Sequence, residues 1–329
     1  LHQHRSYFEN VTMKFHPLAA AALLGLASPA FALNILISND DGLTSNTKAL
    51  YETFKAAGHD VIVSVPCTGQ SGRGAGIVMY STNTIVPDND KTQIEAEGGC
   101  HNGAAPTGAP AVGKFTKAGY TGGDYYYVHG TPMMAAMYGV DVVAQARWGK
   151  APDLVLSGPN EGQNLGKIVN SSGTVGNVQF SGGRGLPSIA LSAGSDTTDN
   201  VNLANPYSVV VAQLSLKLVK ALQAKAGTGA LLPAGVTLNV NFPNAPTAAL
   251  PFAFSRFGSY EAYNLKFNNA VPYGLGAGAG SGTATAAQAE DESLVYKTKV
   301  SVTAMQVGFE HKPAAQQWLR LRLNDLFAQ

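Results

Sequence analysis

Short apolar runs recur along this chain at residues 33–38, 60–65, 125–128, 153–156, 188–191 and 236–241, with amphipathic stretches between several of them. Runs too short for a core helix, yet apolar on both faces, belong to buried strands of a parallel sheet whose crossovers carry helices. The pattern therefore predicts an α/β fold with a mostly parallel sheet covered on both faces. A chain of 329 residues, 45% hydrophobic and 13% charged, has the apolar content for such a core.

The helices read from the same spacing. Residues 45–57 place Leu50, Phe54 and Ala57 on one face, and Gly58 supplies a stop. A second helix is expected over 132–143, opened by Pro132, a third over 206–224, and an amphipathic one over 314–327. Residues 252–263 and 294–305 alternate apolar and polar side chains as hairpin strands do. Two stretches lack any sustained period: 87–124, expected to be a long loop or small excursion, and the Gly/Ala-rich 274–288, expected to be a mobile linker.

The beginning reads as a leader. Met13 and Lys14 precede an apolar stretch that ends in Ala30-Phe31-Ala32, the layout of a secretory signal cleaved near Ala32. Residues 1–12 then lie upstream of a natural start, and 33–329 form a single exported domain, periplasmic or extracellular. The apolar stretch is too short to span a membrane. Removing 1–32 takes away Arg5, Lys14 and Glu9 and leaves acidic and basic residues in balance, which argues against a nucleic-acid polymer as partner. Cys67 and Cys100 have no zinc spacing; a disulfide and two separate thiols both stay open.

In an open α/β sheet the ligand crevice lies beyond the carboxyl ends of the strands. Directly after the first run stands Asn39-Asp40-Asp41-Gly42. Two adjacent carboxylates at the end of a buried strand repel each other unless a cation or a proton intervenes. Three further turns join glycine to oxygen-bearing side chains: 69–72, 157–164 and 172–176. Together they offer the hard oxygen ligands that Mg²⁺, Mn²⁺ or Ca²⁺ prefers, and a glycine-rich helix start suited to phosphate. Taken singly, each residue has a plainer reading: a turn or cap for Asp40 and Asp41, caps for Ser71 and Thr174, turn amides for Asn160 and Asn164, and a core histidine for His129. Other signatures fail on spacing: Arg73 replaces the last glycine of a serine-hydrolase elbow, the carboxylates are adjacent rather than Asp-x-Asp, and no P-loop is present.

These motifs, in this order, resemble the SurE family of phosphatases, also called 5′/3′-nucleotidases or acid phosphatases. The resemblance rests on Ile35 through Gly42, Pro66 through Gly72, His129-Gly-Thr-Pro132, Pro152 through Gly166, Ser172 through Gly176 with Gly185 to Ala190, and Leu238 to Pro243. It implies a Rossmann-like three-layer sandwich with a protruding β-hairpin region and C-terminal elements. It also implies one divalent metal ion held by Asp40, Asp41, Ser71 and Asn160, and phosphate-side residues Asn39, Gly42, Asn164, Ser172 and Thr174. The implied reaction is hydrolysis of a small phosphate ester, a nucleoside monophosphate first, by a metal-activated water, with Asp40, Asp41 and Asn164 as catalytic residues. A homodimer or homotetramer that exchanges C-terminal elements follows from the same resemblance. Pro159, Ser171, Phe180 and the long 87–124 segment depart from the family pattern.

Overall fold

The structure is a computed structural model that describes residues 32–78, 83–85, 98–227, 229–267, 275–310 and 312–327. Residues 1–31, with nearly all of the expected leader, lie outside the described residues, as do 87–97 of the long insertion and Gly274.

The first half alternates as the apolar runs require: β1 (Asn34–Ser38), α1 (Ser45–Ala56), β2 (Asp60–Pro66), β3 (Val112–Lys114), β4 (Tyr125–Val128), α2 (Pro132–Tyr138), α3 (Ala144–Trp148) and β5 (Leu154–Asn160). The second half continues with α4 (Gly173–Gly183), β6 (Ser188–Ser192), α5 (Pro206–Ala226), β7 (Val236–Asn241), β8 (Phe252–Ser255), β9 (Tyr263–Phe267) and β10 (Leu275–Ala279). It ends with α6 (Glu292–Val295), β11 (Val300–Gln306), α7 (Pro313–Arg322) and α8 (Asn324–Phe327). The main sheet runs β3-β4-β2-β1-β5-β6-β7-β11-β8. From β4 to β7 every neighbour is parallel, whereas β3 and β11 join antiparallel to β4 and β7.

Period-two alternation divides the strands between two layers. Ile35 and Ile37 pack with Leu50 and Phe54 of α1 and Val211 and Leu214 of α5, while Leu36 turns to the opposite face with Ile62, Val140 and Val143. Three layers result, helices on each side of a mixed, mostly parallel sheet.

Three expectations are corrected. The helix expected over 132–143 does not stop there: a π-helical turn at Gly139–Val143 carries it into α3, and it ends where Gly149 turns left-handed at φ 65°. The segments 252–263 and 294–305 do not pair as a hairpin, because β8 and β11 are parallel neighbours and β11 takes its antiparallel partner from β7. The Gly/Ala-rich segment is no linker, since Leu275–Ala279 pairs antiparallel with Tyr263–Phe267. Backbone pairing needs no bulky side chain on both strands, which is why composition hid this one. Within the insertion, β3 adds an edge strand to the sheet.

The C-terminal helix forms in two pieces on which Trp318, Leu321 and Leu326 stand exposed. No helix of the described residues is long and apolar enough to cross a membrane.

Candidate active site

The chain leaves β1 and turns to one side through α1 and β2, while β5 continues the sheet on the other side. A reversal of this kind opens a crevice between the carboxyl ends of β1 and β5. The Asp40–Asp41 turn stands at the end of β1, and Asn160 is the last residue of β5.

The turn is held from inside. The Asn39 amide donates to the Gly42 carbonyl at 2.7 Å and to Thr47 Oγ1 at 2.9 Å, and its Oδ1 accepts from the Gly42 N–H at 3.0 Å. Both amide hydrogens of Asn39 are therefore engaged within the turn. Gly42 adopts φ 84°, and a side chain there would press on the Pro66 carbonyl and His101. In this arrangement the Asn39 side chain and the Gly42 N–H and carbonyl bond to one another and to Thr47.

The two carboxylates meet different partners. Asp40 is 3% exposed, and its Oδ1 accepts from Thr174 Oγ1 at 2.7 Å. Asp41 Oδ2 accepts the Glu161 N–H at 3.1 Å, and Glu161 in turn accepts from the Asn200 amide at 2.7 Å. Burial pushes the Asp40 carboxyl above its ordinary range against the pull of Thr174. Burial pushes Asp41 up further, and the charges of Asp40 and Glu161 add to the rise. Glu161 is raised by burial as well, with Asn200 and His101 opposing.

Around this pair the sequence motifs converge. Gln70 donates its N–H to the Asp40 carbonyl at 2.7 Å, which brings the neighbouring Ser71 to the edge of the turn as an exposed residue. The Asn160 amide donates to the Gly162 carbonyl at 2.8 Å, and its Oδ1 is buried without a hydrogen-bond partner. Helix α4 begins against Asp40: a Cβ on Gly173 would lie 2.7 Å from the Asp40 Cβ. Ser172 caps that helix by accepting the Val175 N–H at 3.1 Å. Asn164 donates to Ser192 Oγ at 2.8 Å and, more weakly, to Thr174 Oγ1 at 3.4 Å. His129 is buried among the surrounding loops, with its N–H on the Ala111 carbonyl.

Of the two alternatives left open for the cysteines the disulfide is the one formed, and residues that carried no signal in the sequence stand beside it. Cys67 and Cys100 are joined in a disulfide, and beside it His101 Nδ1 lies 2.6 Å from the Asp41 carbonyl while the Asn102 amide donates to the Leu43 carbonyl at 2.7 Å. The insertion thus grips the Asp41 turn from outside. Asn239 and Asn241 of β7 both donate to the Asn164 carbonyl, at 2.9 and 3.0 Å. The Thr-x-Asn-x-Asn alternation at 237–241, which puts polar side chains on one face of a buried strand, was the available signal for that clamp.

The oxygen donors present fit a divalent cation. Two carboxylates destabilised by burial, the second further by the charge of the first, gain most from a positive charge, and the buried Asn160 carbonyl oxygen lacks the partner such a group needs.

A profile of the family described as survival protein SurE matches residues 35–263. An acid phosphatase of Yarrowia lipolytica is 36% identical over 216 residues, which cover 64% of this chain and 56% of that protein's length. A 5′-nucleotidase SurE of Methanocella arvoryzae is 31% identical over 229 residues, 68% of this chain and 71% of the relative. The SurE protein of Aquifex aeolicus has the same fold, with a TM-score of 0.60 at 24% identity over 88% of this chain and 99% of that one. The three-layer architecture, the strand-end turns and the match across residues 35–263 lead to one conclusion: the chain belongs to the survival protein SurE family.

Proposed function

We propose that this chain is a metal-dependent phosphomonoesterase that hydrolyses nucleoside monophosphates and related small phosphate esters. One observation carries the reading: Asp40 stands against the start of α4 and Asp41 accepts the N–H of Glu161, next to the unpartnered Asn160 carbonyl oxygen, in a family whose relatives are named 5′-nucleotidase and acid phosphatase. Asp40, Asp41, Ser71 and Asn160 would hold the cation, Mg²⁺ or Mn²⁺ by the hardness of the donors, with Ca²⁺ as a weaker candidate. Bound there, it offsets phosphate charge and makes water a better nucleophile.

The chain's own residues do the positioning. Thr174 fixes one oxygen of Asp40, so Asp40 meets the cation with a set orientation. The Asn164 amide can exchange its 3.4 Å contact with Thr174 for a phosphate oxygen, and the first turn of α4 at Ser172 adds N–H dipoles toward the same anion. Asn39 and Gly42 shape the turn, and substrate contact falls to Asn164 and Ser172. The reading also takes the protein to be exported, supported by the leader-like 13–32 and by a disulfide of the kind oxidising compartments allow. It takes the exposed apolar residues of α7 and α8 to be covered by a second copy, which light scattering tests.

The test is turnover of 5′-AMP and of an aryl phosphate by the chain without residues 1–32, before and after EDTA, with Mg²⁺ or Mn²⁺ restored. Activity lost with EDTA, regained with metal and absent in Asp40→Ala supports the reading. Full activity after complete metal removal excludes it. Nucleotide binding without phosphate release replaces it with a binding protein on the same scaffold.

A further inference from the structure

Outside the turns around Asp40, the described structure buries two adjacent carboxylates that the proposed chemistry does not use: Asp291, matched by Arg256 and by the Ser259 and Tyr260 N–H groups, and Glu292, whose donors are all neutral. Glu292 opens α6, beyond the matched residues 35–263, and is 0% exposed. Its Oε1 accepts the Gly166 N–H at 2.6 Å, and its Oε2 accepts from Asn239 at 3.0 Å and from Thr303 Oγ1 at 2.9 Å. The Asn239 amide nitrogen also donates to the Asn164 carbonyl at 2.9 Å. From there the chain of contacts passes through the Asn164 side chain to Thr174 and from Thr174 to Asp40.

We propose that Glu292 is a positioning residue for Asn164: as a carboxylate it holds Asn239 with its nitrogen toward the Asn164 carbonyl, and as an acid it releases that hold. The inference rests on the phosphatase reading for its consequence in turnover, and on geometry alone for the coupling.

The two states follow from donor and acceptor bookkeeping. A carboxylate accepts everything, so three donors can face Glu292 together. A protonated Glu292 must itself donate. Asn239 Oδ1 is buried without a hydrogen-bond partner, so the amide answers the new donor by turning over. That turn removes its nitrogen from the Asn164 carbonyl and leaves Asn241 as the remaining side-chain donor there. Thr303 is the competing acceptor: with its hydroxyl reversed toward Ser255 Oγ, 2.8 Å away, it would accept the new hydrogen bond and leave Asn239 unmoved, which the Asn164 signal distinguishes.

Burial pushes the Glu292 carboxyl up to about 7 against the pull of its three donors, which puts the change within the working range of an enzyme. The charged groups around it are few. Asp291, next in the chain, adds to the rise and is paired with Arg256 at 2.9 Å. Glu261 lies across Gly166 and is paired with Lys167 at 3.2 Å. The packed strands β7 and β11 present neutral side chains throughout.

The test reads the coupling without turnover. In protein labelled at glutamate carboxyl carbons and asparagine amides, the Glu292 signal is assigned by its loss in Glu292→Gln, and the Asn164 signal by its loss in Asn164→Ala. The Asn164 amide should shift with the midpoint of Glu292. In Glu292→Gln, whose carbonyl is claimed by the Gly166 N–H and whose NH₂ faces Asn239, Asn164 should sit at the low-pH position throughout. Turnover of 5′-AMP by this variant at pH 8 should fall about ten-fold in kcat, the scale of one buried hydrogen bond, with KM changed less than about two-fold. The limb that wild type shows near pH 7 should vanish. If Glu292→Gln does not fold, wild type and Asn239→Ala carry the same measurement, and in Asn239→Ala the Asn164 shift should lose its dependence on Glu292. An Asn164 signal indifferent to the Glu292 titration overturns the proposal, as does a pH profile of Glu292→Gln that superimposes on wild type. If the coupling is present and no phosphate ester is turned over, the positioning role stands and the phosphatase reading fails.

Discussion

Breaking the Cys67–Cys100 disulfide should cost both stability and activity, through two separable routes. The bond closes a loop of sequence separation 33 between the end of β2 and the insertion. Loop-closure entropy for a loop of that length corresponds to about 4 kcal/mol. Unfolding entropy scales with length, so for 329 residues this converts to a melting-temperature loss of about 6 °C. The second route is local. With the bond open, His101 and Asn102 lose the anchor that holds them against the Asp41 and Leu43 carbonyls. Each such contact contributes about 1 kcal/mol, roughly a five-fold change in how often the turn is correctly formed.

The assay compares wild type with and without a reductant that does not bind metal, alongside Cys67→Ala/Cys100→Ala. Melting is followed by calorimetry and kcat is measured under saturating metal. Thiol titration of the denatured chain confirms the redox state. A fall of about 6 °C together with a drop in kcat of at least five-fold fits both routes. A melting temperature unchanged within about 1 °C refutes the loop argument, and an unchanged kcat refutes the role given to the insertion in holding the turn.

Three other substitutions probe the site. Gly173→Ala places a Cβ where the Asp40 side chain and Pro132 already stand, 2.7 Å from each, so kcat should fall more than ten-fold while circular dichroism stays native; full activity would show that α4 can back away from Asp40. Thr174→Val keeps the shape and removes the hydroxyl from Asp40, and apparent metal affinity by titration calorimetry should weaken by about ten-fold; equal affinity would dissociate Thr174 from the cation. Glu292 titrates near 4.5 in the unfolded chain and at about 7 in the fold, so the folded state binds the proton more tightly and stability falls as pH rises through that window, by up to about 3 kcal/mol. Urea unfolding of wild type and Glu292→Gln from pH 4.5 to 7.5 should show that slope in their difference, and a flat difference would contradict it.

What could be read from the sequence was whatever is local. The strands at 34–38, 60–66 and 188–192 announce themselves because their central residues, Ile35 to Ile37, Val61 to Val63 and Ile189 to Leu191, are apolar and buried on both faces. The Asp40–Asp41 turn was legible because adjacent carboxylates after such a strand are an electrostatic problem whatever path the chain takes around them. The pairing of β10 with β9 was not, because Leu275-Gly-Ala-Gly-Ala279 carries no strand-forming side chains beyond its first residue and owes its conformation to a partner. The parallel place of β8 beside β11 was equally hidden, since alternation reports a half-buried strand and says nothing of its neighbour. Asn39 shows the same limit within the site. Its position beside Asp40 was evident, but both of its amide hydrogens serve Gly42 and Thr47, a fact that depends on the path of the turn.

The polar chain from Asp40 to Glu292 explains why so much of the site lies outside its motifs. A carboxylate pair this deeply buried is tolerable only when each neighbouring polar group is itself held, because every unanchored partner adds a second desolvation cost to the first. Thr174 can hold Asp40 only if Asn164 and the cap at Ser172 fix the start of α4. Asn164 depends on Asn239 and Asn241, and Asn239 on a residue 53 positions further along. Each step passes to another element, from β1 to α4, to the loop after β5, to β7 and to α6. Local motifs therefore mark where the cation and phosphate would sit, while the constraint on their geometry extends to the C-terminal third of the chain. Substitutions there, at positions with no contact to substrate, are where changes in kcat without loss of metal binding should be sought.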